Sequence, residues 1–334
     1  MNSVTRRDAL AACSLAATGL LTATTIGCAQ RNEARVFLAR NQRYDGDLVR
    51  TIRAGLVAAG LELNELRGKR VLLKPNLVEP SREIPHMTTH PTVIVAAAEV
   101  FRTAGATVKV GEAPGHVRDT QTALIISGVG EALDGAELEF ADLNYEAVGY
   151  RANRGKFSQL RGIYFPQSIV EADLVVSLPK MKTHHWVGVT GAMKNLYGTL
   201  PGIKYGWPKN VLHHNGIPQT VADINSTLPR VIGIVDGIDC MEGDGPILGS
   251  LKTMGLIAVS ASLPALDATL ARVMGIVPER LEYLQLAAHR LGPIADEAIE
   301  QVGEPWRDVA SPFKILDRPH LRNLRSSADG PLVT

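Results

Sequence analysis

From Arg70 onward, short apolar runs alternate with stretches whose apolar residues recur at helical spacing. That is the pattern of strands joined by crossover helices around a largely parallel sheet. Arg70–Leu73 reads as a strand running into Lys74-Pro75-Asn76. A helix from about Thr92 to Ala104 starts behind Pro91 and stops at Gly105, and the strand Thr107–Val110 completes a βαβ unit. Further strands are predicted at Glu137–Phe140, Leu174–Leu178, Val231–Val235 and Leu256–Ser260, with helices near Gln219–Leu228, Leu263–Val273 and Arg280–Leu291. The fold class expected is α/β: a largely parallel sheet built from βαβ units, with helices on both faces. No internal repeat or low-complexity linker divides residues 30–310, which read as one α/β domain. Tyr145–Pro166 is the expected excursion from the sheet, and residues 311–334 read as an irregular C-terminal tail.

Residues 1–29 follow a different pattern. Thr5-Arg6-Arg7-Asp8-Ala9-Leu10 sets an arginine pair before a weakly apolar run, Leu10 to Ile26, rich in Ala, Thr and Gly. The run is too polar for a membrane span, so the segment reads as a twin-arginine export signal, with a short membrane anchor as the alternative. Export implies a transient partner, the twin-arginine translocase, and a location in the periplasm or cell envelope. Thr25-Ile26-Gly27-Cys28 resembles a lipoprotein box, while Gly27-Cys28-Ala29 equally suits ordinary signal peptidase, so a lipid anchor at Cys28 and a soluble product both stand open.

Composition narrows the partners. Removing residues 1–27 takes away Arg6, Arg7 and Asp8 and leaves basic and acidic residues in balance. No basic run with interleaved aromatics appears in the rest, so no nucleic-acid partner is expected. Of three cysteines, Cys13 goes with the signal, Cys28 sits at its end, and Cys240 alone lies inside the fold. Neither a structural disulfide nor a cysteine-ligated iron–sulfur cluster is expected.

Ligands of open parallel sheets gather beyond the carboxyl ends of the strands, and four such tips are polar here. They are Lys74-Pro75-Asn76, Gly111-Glu112-Ala113-Pro114-Gly115-His116, Pro179-Lys180-Met181-Lys182-Thr183-His184-His185 and Asp236-Gly237-Ile238-Asp239. Seven of nine histidines fall between Ile84 and Asn215. Imidazole suits metal ligation and proton transfer alike, and a solvated loop histidine is the plain alternative for each. In the densest segment, Thr190 can cap a short helix, Gly188 and Gly191 would let an anion approach backbone amides, and Lys194 would add a positive charge. The spacing is not that of a Walker phosphate loop, and a packed helix start explains it as well. The run Asp236 to Pro246 offers four carboxylates on a glycine-rich stretch, which suits a hard divalent cation or simply a turn. Cys240 reads as a packed thiol rather than a nucleophile.

At these residues the chain resembles the domain of unknown function 362 family. The resemblance is carried by Lys74-Pro75-Asn76-Leu77, His90-Pro91, Gly111-Glu112, Leu178-Pro179-Lys180-Met181-Lys182-Thr183-His184, Gly191-Ala192-Met193-Lys194-Asn195-Leu196-Tyr197-Gly198, and Val235-Asp236-Gly237 through Gly243-Asp244-Gly245-Pro246, over roughly Arg70 to Gly275. The family has no agreed general activity. Some members carry a ferredoxin-type module that this chain lacks, so a redox role would require a redox partner or a non-cysteine cofactor. A fainter similarity links His185, Gly188, Gly191, Lys194 and Pro201-Gly202 to lactate racemase, an enzyme class in which a lysine covalently holds a nickel pincer nucleotide and histidines exchange a proton at a 2-hydroxy acid carbon.

The reading that joins these observations is an extracytoplasmic enzyme of proton-transfer or redox chemistry, with a Lys/His-lined site for a small anionic ligand or a metal-containing cofactor. Twin-arginine export commonly carries proteins folded around a cofactor. The expected proton-transfer residues are His90, His116, His184 and Lys194. Lys74, Asn76, Lys180, Lys182, Gly188, Thr190, Gly191 and Asn195 would bind the ligand or cofactor, and Glu112, His185, Asp236 and Asp239 would ligate a divalent metal or orient its ligands. A non-catalytic binding protein for an anionic metabolite or metal complex would use the same tips, and an assembly factor for an envelope redox enzyme would show a copurifying partner and an empty pocket.

Overall fold

A computed structural model describes residues 34–79, 81–116, 118–325 and 332–333. The arginine pair, the apolar run and Cys28 lie outside the described residues. Twelve strands carry the architecture: β1 (Ala34–Ala39), β2 (Arg70–Pro75), β3 (Thr107–Glu112), β4 (Glu139–Asp142), β5 (Val148–Ala152), β6 (Gly162–Pro166), β7 (Leu174–Leu178), β8 (Lys180–His184), β9 (Gly188–Thr190), β10 (Val231–Glu242), β11 (Ser250–Ser260) and β12 (Ile299–Gly303). The main sheet runs β12-β1-β11-β10-β7-β2-β3-β4, and β8 pairs with β10 and β9 beside that path. β11 is antiparallel to both of its neighbours. The other pairs along the path are parallel, so the expected largely parallel α/β sheet is what the chain forms.

The strands form where they do because both of their faces are covered. In β2, Leu72 packs into one buried cluster while Val71 and Leu73 pack into the other. Val175 and Leu174/Val176 of β7 divide the same way, as do Ala258 and Ile257/Val259 of β11. Helices Leu48–Ala58 and Pro91–Thr103 cover one face, and helices Ile217–Thr227, Leu263–Val273 and Glu282–Ala288 cover the other. Each fully buried aliphatic side chain contributes roughly 1.5–3 kcal/mol to this arrangement. The helix Pro91–Thr103 starts as its sequence indicates, with proline in the first turn and the His90 ring accepting the Thr92 N–H, and it ends before Gly105 at φ +87°.

Several elements differ from the sequence reading. β10 and β11 extend beyond the sheet as a long antiparallel hairpin, with a register shift between Gly237 and Asp239. The polar half of β10 resembles a turn in sequence because Asp and Gly dominate it, yet its backbone is paired. The strand β1 and the helix Leu48–Ala58 were not anticipated. Tyr145–Pro166 does leave the sheet, forming the separate β5–β6 ribbon. Among the described residues after Ser311, regular structure is confined to short elements such as Ile315–Leu316 and Pro319–Arg322, and Phe313, Ile315, Leu321 and Leu324 are buried.

Candidate functional site

The ends of β2 and β3 open into a cavity of about 110 Å³ whose walls include Lys74, Asn76, Glu112, His116, Lys182, His184, His185, Thr190, Lys194 and Asn195. The tips after β2 and β3, the strand β8 and the turn leading out of β9 therefore line one cavity. Four lysines reach this space, Lys74, Lys182, Lys194 and Lys209, against one carboxylate, Glu112.

An ammonium group has three N–H donors, and counting them separates these lysines by role. Lys74 Nζ donates to Pro75 O (2.7 Å) and to Asn195 Oδ1 (2.9 Å) and pairs with Glu112, so its donors are consumed by the protein. Lys182 Nζ donates to Met87 O (2.8 Å) and Pro246 O (3.2 Å), which leaves one donor. Lys209 Nζ is bonded to Leu200 O and keeps two. Lys194 Nζ sits 4.1 Å from the centre of the Tyr197 ring and has no hydrogen-bond acceptor among the described residues. Burial lowers the pKa of Lys182 well below the ordinary lysine value, and it brings Lys194 and Lys209 down to about 7, with neighbouring Lys74 adding repulsion at both. Asn195 and Lys74 line the cavity and also hold each other in place: the Asn195 amide donates to Lys74 O and Ser177 Oγ, both at 3.0 Å.

Two buried polar atoms on these walls have no hydrogen-bond partner, Asn76 Oδ1 and Thr190 Oγ1, while Glu112 Oε2 is engaged by Lys74. A buried polar group left unmatched costs about 1–3 kcal/mol, so their gathering on one cavity marks a place where a ligand would complete the bonding. Burial raises Glu112 to about 7 against the opposing pull of Lys74, which puts its proton affinity in the range useful to an acid or base. Burial also lowers the pKa of His116, of His184 strongly, and of His213 to about 4. Those rings are neutral at pH 7. His184 Nδ1 accepts the Trp186 N–H at 3.1 Å, which leaves the ring proton on Nε2.

The remaining expected residues lie elsewhere. Lys180 and Asp236, 1% and 0% exposed in their side chains, form an ion pair of 2.6 Å. Tyr44 OH bridges them, accepting from Lys180 (2.9 Å) and donating to Asp236 (3.2 Å). His90 donates its backbone N–H to Asp236 (2.9 Å), and its ring stacks on Tyr44 with centroids 3.7 Å apart. Asp239 accepts from Thr253 at 2.7 Å. This network satisfies itself outside the cavity walls, so His90, Lys180, Asp236 and Asp239 are corrected from site residues to structural ones.

The expected metal set does not converge either. Glu112 is paired with Lys74, His185 Nδ1 lies 3.4 Å from Asp244, and the two aspartates belong to the outer network. Among the described residues, no three His, Cys, Asp or Glu side chains group to hold an ion.

Gly188 and Gly191 are corrected as well. The amides at the start of the helical turn Ala192–Asn195 already have an anion: Asp267 accepts from Ala192 (2.6 Å) and Met193 (3.1 Å), with Tyr283 OH at 3.3 Å. A β-carbon on Gly191 would land on that carboxylate, whereas one on Gly188 would meet Leu281 and Leu324. Both glycines serve close packing rather than ligand approach.

A family model described as a domain of unknown function (DUF362) matches residues 71–272. The chain belongs to the DUF362 family. A thylakoid-associated protein of Synechocystis sp. is 30% identical over 288 residues, covering 84% of this chain and 87% of that one. The apoprotein structure of lactate racemase from Thermoanaerobacterium thermosaccharolyticum aligns with a TM-score of 0.44 at 18% identity, over 72% of this chain and 56% of that chain. This DUF362 chain thus spans little more than half the length of that protein.

Within the DUF362 chain, sequence reasoning missed Lys209, Gly198, Asp267 and Tyr44. Lys209 sits at φ +73° after Trp207-Pro208 and is 3% exposed. A lysine between two short polar helical turns carries no pattern that distinguishes it from a solvated one. His213 was visible only as one of an adjacent pair, of which it, and not His214, lines the cavity.

Proposed function

We propose that this cavity binds a small anion through Lys194, Lys209 and Lys182, and that Glu112 and the neutral imidazoles exchange a proton with it. The observation that carries the reading is the coincidence, on one set of walls, of uncommitted amines with two unpartnered buried polar atoms, Asn76 Oδ1 and Thr190 Oγ1. The lysines supply charge and donors. Asn76 and Thr190 orient the ligand, Glu112 near neutrality is the base, and His184 Nε2–H is the matching donor. The location belongs to the same proposal: export by the twin-arginine route to the periplasm or cell envelope, supported by Arg6-Arg7 ahead of the weakly apolar run and by the thylakoid association named for the Synechocystis relative.

The test is calorimetric titration with inorganic phosphate and small carboxylates, followed by NMR detection of solvent deuterium entering the α-position of any carboxylate that binds. Binding with exchange, abolished by Glu112→Gln, is the expected result. Binding without exchange makes the protein a receptor, and no binding of any anion removes the site.

A further inference from the structure

Two walls of the cavity run from a buried amine-rich floor to exposed apolar side chains at its mouth. The first is a stretch of β8 and its sequel: Lys182 is 0% exposed, His184 5% and Trp186 52%. The second begins where Lys182 Nζ meets Pro246 O at 3.2 Å and ends at Ile247, beyond which the next residue, Leu248, is 71% exposed. The walls are tied to each other, since the His185 N–H donates to Gly245 O at 2.8 Å, and the second wall is closed on itself by the Leu248 N–H donating to Asp244 O at 2.9 Å. The Trp186 ring is also braced edge-on against the His213 ring, centroids 5.1 Å apart. A single exposed leucine means little on a protein surface. An indole and a leucine at the outer ends of two hydrogen-bonded walls of one polar cavity are a different matter, because a small hydrophilic anion would leave both in water.

We propose that the ligand of this cavity is amphipathic, with an anionic head at the Lys182, Lys194 and Lys209 amines and an apolar chain lying along Trp186 and Ile247–Leu248. The inference rests on the reading that the cavity binds an anion, and it names the class of that anion. The polar floor selects the head by charge, and the apolar walls select the chain by area removed from water.

The experiment is a titration of the full-length protein with methyl, butyl and octyl phosphate, each below its micelle concentration, read by calorimetry and by tryptophan fluorescence. Affinity rises about threefold to fourfold for each methylene that reaches the walls. Trp186→Ala and Leu248→Ser each flatten that series while leaving methyl phosphate affinity within about twofold, since neither touches the amines. Methyl phosphate binding with no chain-length dependence overturns the inference and leaves the anion site standing. Failure of every phosphate to bind overturns both. Sedimentation with anionic phospholipid vesicles, lost in Leu248→Ser without any chain-length effect among the soluble phosphates, would assign these residues to a bilayer surface and also overturn it.

Discussion

Gly198 lies against the Lys74–Glu112 ion pair so closely that a β-carbon there would fall on Glu112 Oε1 and Lys74 Nζ together. Long side chains usually give way to such an intrusion at little cost. These do not have the room, because both are buried and Lys74 is held by Pro75 O and Asn195. Gly198→Ala is expected to cost about 1–3 kcal/mol, measured by urea unfolding. An alanine that is tolerated without loss would show the pair to be mobile.

Lys194 carries the opposite signature. An amine with no hydrogen-bond acceptor and a pKa drawn down to about 7 by burial is a liability to the fold. Lys194→Met should raise stability by about 0.5–2 kcal/mol while weakening anion binding at least tenfold. Thermal unfolding and calorimetry on the same sample read both. A less stable variant with intact binding would make Lys194 structural.

The strand tips were legible because parallel strands end where their apolar runs end, and Lys74 and Glu112 follow such ends in β2 and β3. What separated Lys182 from Lys180 was not legible, since both sit two residues apart on one strand. Only the pairing of Asp236 opposite Lys180 gives that lysine its partner. Gly188 and Gly191 misled for a different reason: the anion that their turn accommodates is supplied by the chain itself. Asp267 occupies a lone acidic position in the apolar helix Leu263–Val273, and a buried carboxylate there needs donors from somewhere. That mismatch was the one available signal.

Asp267 makes a further prediction. Asparagine at this position can accept from one amide but turns an N–H donor toward the other. Asp267→Asn therefore leaves a buried backbone donor unmatched and should cost about 1–3 kcal/mol. Because the same amides set the turn that carries Lys194, anion affinity should fall too. Lowered stability with unchanged affinity would separate the turn from the site.

The dependence of anion affinity on pH follows from the amines. Lys194 and Lys209 have depressed pKa values of about 7 in the ligand-free protein, so both are protonated below pH 7 and lose charge above it. A bound anion favours the charged form and raises both values, which makes affinity greatest on the acid side. As pH rises from 7 towards the ligand-bound pKa values, affinity should fall by up to about tenfold per unit for each amine. Titrations with a sulfonate, whose own charge is constant, remove the ligand's titration, repeating them in Glu112→Gln removes the carboxylate that ionises near 7 in the same cavity, and affinity that holds steady from pH 6 to 9 would contradict the prediction.

The Lys180–Asp236 pair should behave as structure alone. Removing one member leaves the other charge buried with only Tyr44 and backbone donors, so Lys180→Met is expected to cost about 3–5 kcal/mol. Replacing both, as Lys180→Met with Asp236→Leu, should recover most of that loss, because the desolvation cost of the two ions disappears together. Anion binding in the double variant should stay within about threefold of the original, since neither residue lines the cavity. Loss of binding in a double variant that has regained its stability would return this pair to the site and join the two networks into one.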